Sequence, residues 1–242
     1  MASEHPNRCC PTDATAAKCV YHPTGDDFYI VGPLDSKVGV VIVSDIFGML
    51  PNSRRMADVF AQQGYLAIMP DFFGKKAWDH DDWPTDFDSE KWKTFITWAG
   101  TFEVHRPRID RAIQVLRKFG VEKVGAVGMC WGAALSFLTA ADGSVDAVCT
   151  AHPSFFTAAS VKAAKTPVLV MASKDEPNFD EVEAAVNAHP VEPHVYKRFG
   201  NLSHGFFGAR YDPDTYTPEE LKEVEEARQM AFDFFKKTLC AE

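Results

Sequence analysis

No stretch of this chain stays apolar for anything near the roughly 20 residues that cross a bilayer, so no membrane partner is expected. No basic tract interrupts a chain of formal net charge −9. Nucleic acid is therefore not an expected partner either. Residues 1–18 lack the apolar core of a secretory signal, and Cys240 stands one place too late for a C-terminal prenylation box. The chain is expected to be cytoplasmic. Cysteine is sparse, with six in 242 residues, and in the cytosol these should stay reduced. Cys9, Cys10 and Cys19 lack the paired spacing of a zinc site. Neither a metal nor an organic cofactor is expected. There is also no internal repeat, linker or low-complexity tract.

What is present is an alternation of two periods. Residues 38–43 form a continuous β-branched run around one glycine, the signature of a parallel strand buried on both faces. Similar short runs recur at 65–69, 123–127, 146–150, 167–172 and 194–199, and 27–31 reads as an edge strand. Helical spacing fills the gaps at 52–63, 107–119, 133–141, 179–188 and 217–238. Strand–helix alternation of this kind implies an α/β fold with a mainly parallel central sheet and helices on both faces. Residues 1–19 read as a loose polar arm and 20–242 as one domain. Residues 74–100 stand apart. They carry Trp78, Trp83, Trp92 and Trp98 together with six acids, and Ser89 reads as the N-cap of a helix inside them. Such an excursion is either a surface insertion packed down by its aromatics or a flap over a site.

The segment Gly128-Met129-Cys130-Trp131-Gly132 joins a predicted strand to a predicted helix. This is the context of a nucleophile elbow with cysteine at its centre. The turn is sharp, so the residues two before and two after the nucleophile must lack a bulky Cβ substituent. The helix N-terminus behind it favours a thiolate. A buried cysteine in an ordinary strand–helix link has the same local pattern.

A cysteine nucleophile needs a base, and the base needs an orienting acid. In α/β-hydrolases the chain order is nucleophile, acid, histidine, and sites gather at the C-terminal ends of strands. Asp175 and His204 meet both conditions, with Asp180 as an alternative acid or helix cap and His152 as a rival base. Lys174-Asp175-Glu176-Pro177 also reads as a plain turn. Main-chain N–H groups of Trp131 and Ile46 are placed to form an oxyanion hole. Asp45, beside Ile46, is a carboxylate at the end of a buried strand, or a cap there.

Five ordered motifs together resemble the dienelactone hydrolase family. They are Asp45-Ile46-Phe47-Gly48, Pro70-Asp71-Phe72-Phe73, the Cys130 elbow, Asp175, and His204-Gly205-Phe206, and the resemblance spans roughly 38–239. It implies a Cys130–Asp175–His204 triad and an oxyanion hole from Ile46 and Trp131. It also implies that Asp45 takes the place of an acid that holds the resting thiol. The bacterial enzymes grip a substrate carboxylate with two arginines, and here Lys75 and Arg210 stand near those positions. Lysine lacks the bidentate fork of arginine, so the resemblance implies a broader preference for small esters or lactones. His152 is carried as a third substrate-binding candidate. The expected partner is a small-molecule ester or lactone, and the expected state is a monomer or weak dimer. A thioesterase on the same scaffold, or a binding protein without catalysis, shares the fold.

Overall fold

The computed structural model describes residues 28–83, 85–176 and 179–240. The arm expected at 1–19, with Cys9, Cys10 and Cys19, lies outside the described residues. The elements run β1 (Phe28–Val31), β2 (Val38–Val43), α1 (Pro51–Gln62), β3 (Leu66–Pro70), α2 (Glu90–Ala99), α3 (Phe102–Lys118) and β4 (Lys123–Met129). Then follow α4 (Gly132–Asp142), β5 (Ala147–Ala151), α5 (Ala158–Ala163), β6 (Val168–Ala172), α6 (Asp180–Asn187), β7 (His194–Arg198) and α7 (Pro218–Leu239).

The seven strands form one sheet in the order β1-β3-β2-β4-β5-β6-β7. Only the edge strand β1 runs antiparallel, pairing Phe28 with Pro70 through Val31 with Ala67. Strand side chains alternate between two cores, as the period of two demands. In β2, Val41 and Val43 enter one core and Val40 and Ile42 the other. The second core is closed by α1 and α7, through Met56, Phe60, Val224 and Phe235. The first is closed by α2 to α6, through Phe95, Ile113, Leu135, Val161 and Val186. With both faces covered, the buried strands read as unbroken apolar runs. No described helix is long and apolar enough to cross a membrane.

Two helical features differ from the sequence reading. Helix α3 starts at Phe102, five residues before Pro107, and carries that proline in its second turn. Proline favours the first helical position, but packing overrides it here. Phe102 and His105 both lie on the Trp131 ring, at centroid distances of 5.8 and 5.0 Å. Helix α5 has only six residues, too few for a periodic signal. Within the excursion, Ser89 does cap α2, its oxygen accepting the Trp92 N–H at 3.2 Å. The remainder of 74–83 forms two short 3-10 turns, with Trp78 buried beneath them.

Candidate active site

Strands β2 and β4 are parallel neighbours, with Val43 opposite Gly128. From β2 the chain moves outward to β3, and from β4 it moves the other way to β5. The order of the sheet reverses between them, and a crevice opens at their C-terminal ends. Cys130 leaves β4 into that crevice, and the loop carrying Asp45, Ile46 and Phe47 leaves β2 beside it.

Cys130 has φ 53°, a left-handed conformation that costs a non-glycine residue about 1–3 kcal/mol and persists only when its surroundings impose it. Its N–H donates to the Ala151 carbonyl at 3.2 Å. Its own carbonyl accepts the N–H groups of Ala133 at 3.1 Å and Ser154 at 2.9 Å. The flanking glycines are required by contact. A Cβ on Gly128 would stand 2.4 Å from the Gly132 carbonyl oxygen, and one on Gly132 would stand 2.3 Å from that of Val43. The turn thus folds its helix against the strand beside it. Trp131 anchors it further, its indole N–H donating to the Ala99 carbonyl at 2.8 Å. That bond ties the end of α2 to the elbow.

His204 follows β7. It shares the cleft with Cys130, whose sulfur acts on its charge, and its Nδ1 lies 2.7 Å from Oε1 of Glu176. Burial works against its charge. The negative sulfur and the Glu176 carboxylate outweigh that and raise the imidazole pKa to about 10.

The carboxylate on the imidazole therefore belongs to Glu176, one residue beyond Asp175. Asp175 instead accepts the main-chain N–H of His204 at 2.8 Å and so positions the loop. Asp180 lies in the first turn of α6, one place inside the Phe179 cap. Glu176 is buried because Ser173 gathers it in. The Ser173 hydroxyl donates to Oε1 at 2.9 Å, and the Ser173 N–H donates to Oε2. The signal for this arrangement was in the sequence. Ser173-Lys174-Asp175-Glu176 has the S-x-x-E spacing in which a glutamate reaches back to the N–H of the serine.

Asp45 is fully buried in the crevice, but its oxygens go to the backbone. Oδ1 accepts the Phe47 N–H at 3.0 Å and Oδ2 the Ala209 N–H at 2.9 Å. Burial raises its pKa to about 6, opposed by those two N–H groups and by the charges of Arg210 and His204. Its geometry is that of a clasp between the β2 loop and the segment after His204. At the sulfur, the neighbour besides His204 is the Ser154 hydroxyl, 3.5 Å away.

Ile46 lines the cleft, and Trp131 opens the N-terminal end of α4. Among the described residues, neither main-chain N–H has an acceptor. The Ile46 carbonyl accepts the Trp78 N–H at 2.9 Å, so the excursion also grips the loop after β2. His152 is buried behind His204, ring centroids 4.8 Å apart. Its pKa falls well below the ordinary range, first through burial and then through the positive charges of His204 and Arg210. Lys75 is exposed in the turn Gly74–Lys76 and does not line the cleft. Arg210 does, its guanidinium 5.0 Å from the centroid of Trp83. Trp83 meets Phe47 edge-on at 5.9 Å. Together they leave a cleft of about 30 Å³ over the sulfur. Among the described residues no group of three or more His, Cys, Asp or Glu is disposed to hold a metal ion.

A mainly parallel sheet with a strained elbow at its switch point and a histidine after its last strand is the α/β-hydrolase arrangement. The model of the dienelactone hydrolase family matches residues 27–239. The chain belongs to that family, a family of hydrolases acting on ester bonds. It is 28% identical over 225 residues to the carboxymethylenebutenolidase homolog of Mus musculus, covering 85% of this chain and 84% of that one. It is 30% identical over 192 residues to the hydrolase tropI of Talaromyces stipitatus, covering 73% of each. Among solved structures, the fold matches a putative dienelactone hydrolase from Klebsiella pneumoniae with a TM-score of 0.65 at 18% identity. That match covers 89% of this chain and 97% of the other.

Proposed function

We propose that the protein is a thiol hydrolase that cleaves small esters or lactones through an acyl group carried on Cys130. The observation that carries this reading is the strained Cys130 elbow sharing one cleft with His204, whose imidazole is held by the Glu176 carboxylate. The scheme starts from Cys130 with its proton held by His204. The thiolate attacks the substrate carbonyl, and the carbonyl oxygen takes up the negative charge between the Ile46 and Trp131 N–H groups. A donor of this kind contributes about 10²–10³ in rate. The intermediate collapses, the C–O bond to the leaving group breaks, and His204 gives its proton to the departing alkoxide. The acyl group is now a thioester on Cys130 and His204 is neutral. Water then loses a proton to His204 as its oxygen attacks the thioester carbonyl. Collapse expels the thiolate, releases the carboxylic acid and restores the ion pair. Glu176 keeps the imidazole oriented and stabilises its cation through both steps. With a lactone, the alkoxide stays tethered to the acyl group.

The test is hydrolysis of p-nitrophenyl acetate before and after iodoacetamide, with mass mapping of the labelled cysteine. Activity lost in step with labelling of Cys130, and absent in a folded Cys130→Ala variant, is the expected result. Hydrolysis that survives complete labelling of Cys130 would sink the scheme.

A further inference from the structure

The sulfur has a second neighbour that the acyl-transfer scheme leaves unused. Ser154 Oγ lies 3.5 Å from Cys130 Sγ, within hydrogen-bonding range for sulfur. Its backbone is fixed to the same residue, because the Ser154 N–H donates to the Cys130 carbonyl at 2.9 Å. The segment that holds it is strained on both sides. His152 has φ 40° and Phe155 has φ 54°. Non-glycine residues uncommonly adopt this conformation, phenylalanine less often than histidine, and it persists only where the surrounding structure imposes it. With Cys130 itself at φ 53°, three strained residues surround one pair of side chains. The His152 N–H, bonded to the Met171 carbonyl at 2.8 Å, pins the start of the segment to the sheet.

We propose that Ser154 is a further residue of the reaction centre, its hydroxyl donating to the Cys130 thiolate and so holding the resting nucleophile in its charged form. This rests on the reading of Cys130 as the nucleophile. A hydroxyl can donate to a thiolate, and it loses that acceptor when the sulfur becomes part of a thioester. The bond therefore favours the two states in which the sulfur is free: the resting enzyme, and the thiolate expelled on deacylation. It does from the β5 side what the Asp45 carboxylate, occupied by Phe47 and Ala209, is not placed to do.

The substitution Ser154→Ala removes only Oγ and keeps the N–H that supports the elbow. The charged and titratable groups around the sulfur stay in place. They are His204 with Glu176 behind it, Asp45 and Arg210 across the cleft, and His152 behind His204. The measurement is the pH dependence of iodoacetamide alkylation at Cys130, mapped by mass, alongside p-nitrophenyl acetate hydrolysis and a thermal melt. In the alanine variant the alkylation midpoint should rise, with the rate below it reduced about three- to tenfold, the scale of a hydrogen bond to a charged group that is partly exposed. Ser154→Thr, which restores a hydroxyl, should return the midpoint. An alanine profile superimposed on that of the parent protein, or a threonine variant that behaves like alanine, would overturn the role of Ser154 while leaving Cys130 as nucleophile. Hydrolysis that continues after full alkylation of Cys130 would overturn both.

Discussion

Glu176 and His204 meet side chain to side chain at 2.7 Å, while Asp175 holds the same histidine only by its main chain, at 2.8 Å. The two adjacent carboxylates therefore do separable work. Glu176→Gln keeps the shape but removes the charge that favours the imidazolium. It should lower kcat by up to about 10⁴, the loss seen when the acid of a catalytic triad is made neutral. Asp175→Asn can still accept the His204 N–H. It should cost at most about tenfold in kcat, with a stability loss of about 1 kcal/mol. Steady-state kinetics on p-nitrophenyl acetate separates them. A crippled Asp175→Asn beside a nearly intact Glu176→Gln would return the acid role to Asp175.

The pKa of His204 also has a definite sign as a stability statement. Its folded value is about 10, above the ordinary 6.5. The histidine's stabilisation is thus complete below about pH 6.5 and is lost as the pH climbs through about 10. Urea midpoints should decline across that interval. Because the sulfur's charge is the chief cause raising this pKa, Cys130→Ala should draw His204 back toward the ordinary range. Histidine proton resonances, titrated in both proteins, read this directly. An unchanged His204 titration in Cys130→Ala would exclude the thiolate–imidazolium pair. The same cation supplies the leaving-group proton. Above about pH 10, turnover of alkyl esters should therefore fall before that of p-nitrophenyl esters, whose leaving group needs no proton.

Much of this architecture was legible because burial writes simple patterns. Strands covered on both faces, such as β2 and β6, give apolar runs that survive any error in their exact ends. The elbow was legible because its steric demand falls on two fixed positions, Gly128 and Gly132. The rest depends on the local spacing of Ser173 and Glu176 and on side chains meeting across the fold. The order of nucleophile, acid and base picks out Asp175, but the burial of its neighbour Glu176 is settled by Ser173. The start of α3 is settled by Phe102 and His105 packing on Trp131. The placement of Ser154 depends on positive φ at His152 and Phe155, for which those residue types carry no signal.

The elbow glycines give a prediction about stability and not only about activity. A methyl on Gly132 meets the Val43 carbonyl oxygen at 2.3 Å and the Ser44 carbonyl oxygen at 2.7 Å. Both are backbone atoms of the central strand and the loop that leaves it, so neither can swing away. Gly132→Ala should cost about 3 kcal/mol or more, at the upper end of overpacking effects. It should abolish hydrolysis by pushing α4 and the Trp131 N–H away from β2. Chemical denaturation and activity measured together test this. A variant with unchanged stability would mean that the close approach of helix to strand is not required.

The cover of the cleft yields the last prediction. Trp83 is half-buried between Phe47 and Arg210. The excursion that carries it is tied down by the Trp78 N–H on Ile46 and by the indole of Trp131 on Ala99. The cleft beneath holds about 30 Å³, far below the roughly 300 Å³ at which small-molecule sites begin. A shift of the Trp83–Arg210 stack is the expected route by which an ester reaches the sulfur, and its extent would then set the size of the acyl group admitted. Trp83→Ala should therefore raise kcat/KM for p-nitrophenyl octanoate by about tenfold relative to p-nitrophenyl acetate, since removing a large ring from a binding wall relieves exclusion worth a few kcal/mol at most. Arg210→Ala should move the same ratio in the same direction by loosening the stack, with a smaller effect. If both substrates change in parallel in Trp83→Ala, the tryptophan supports the excursion but does not select the substrate, and the size limit must lie deeper, at Phe47 or along β2.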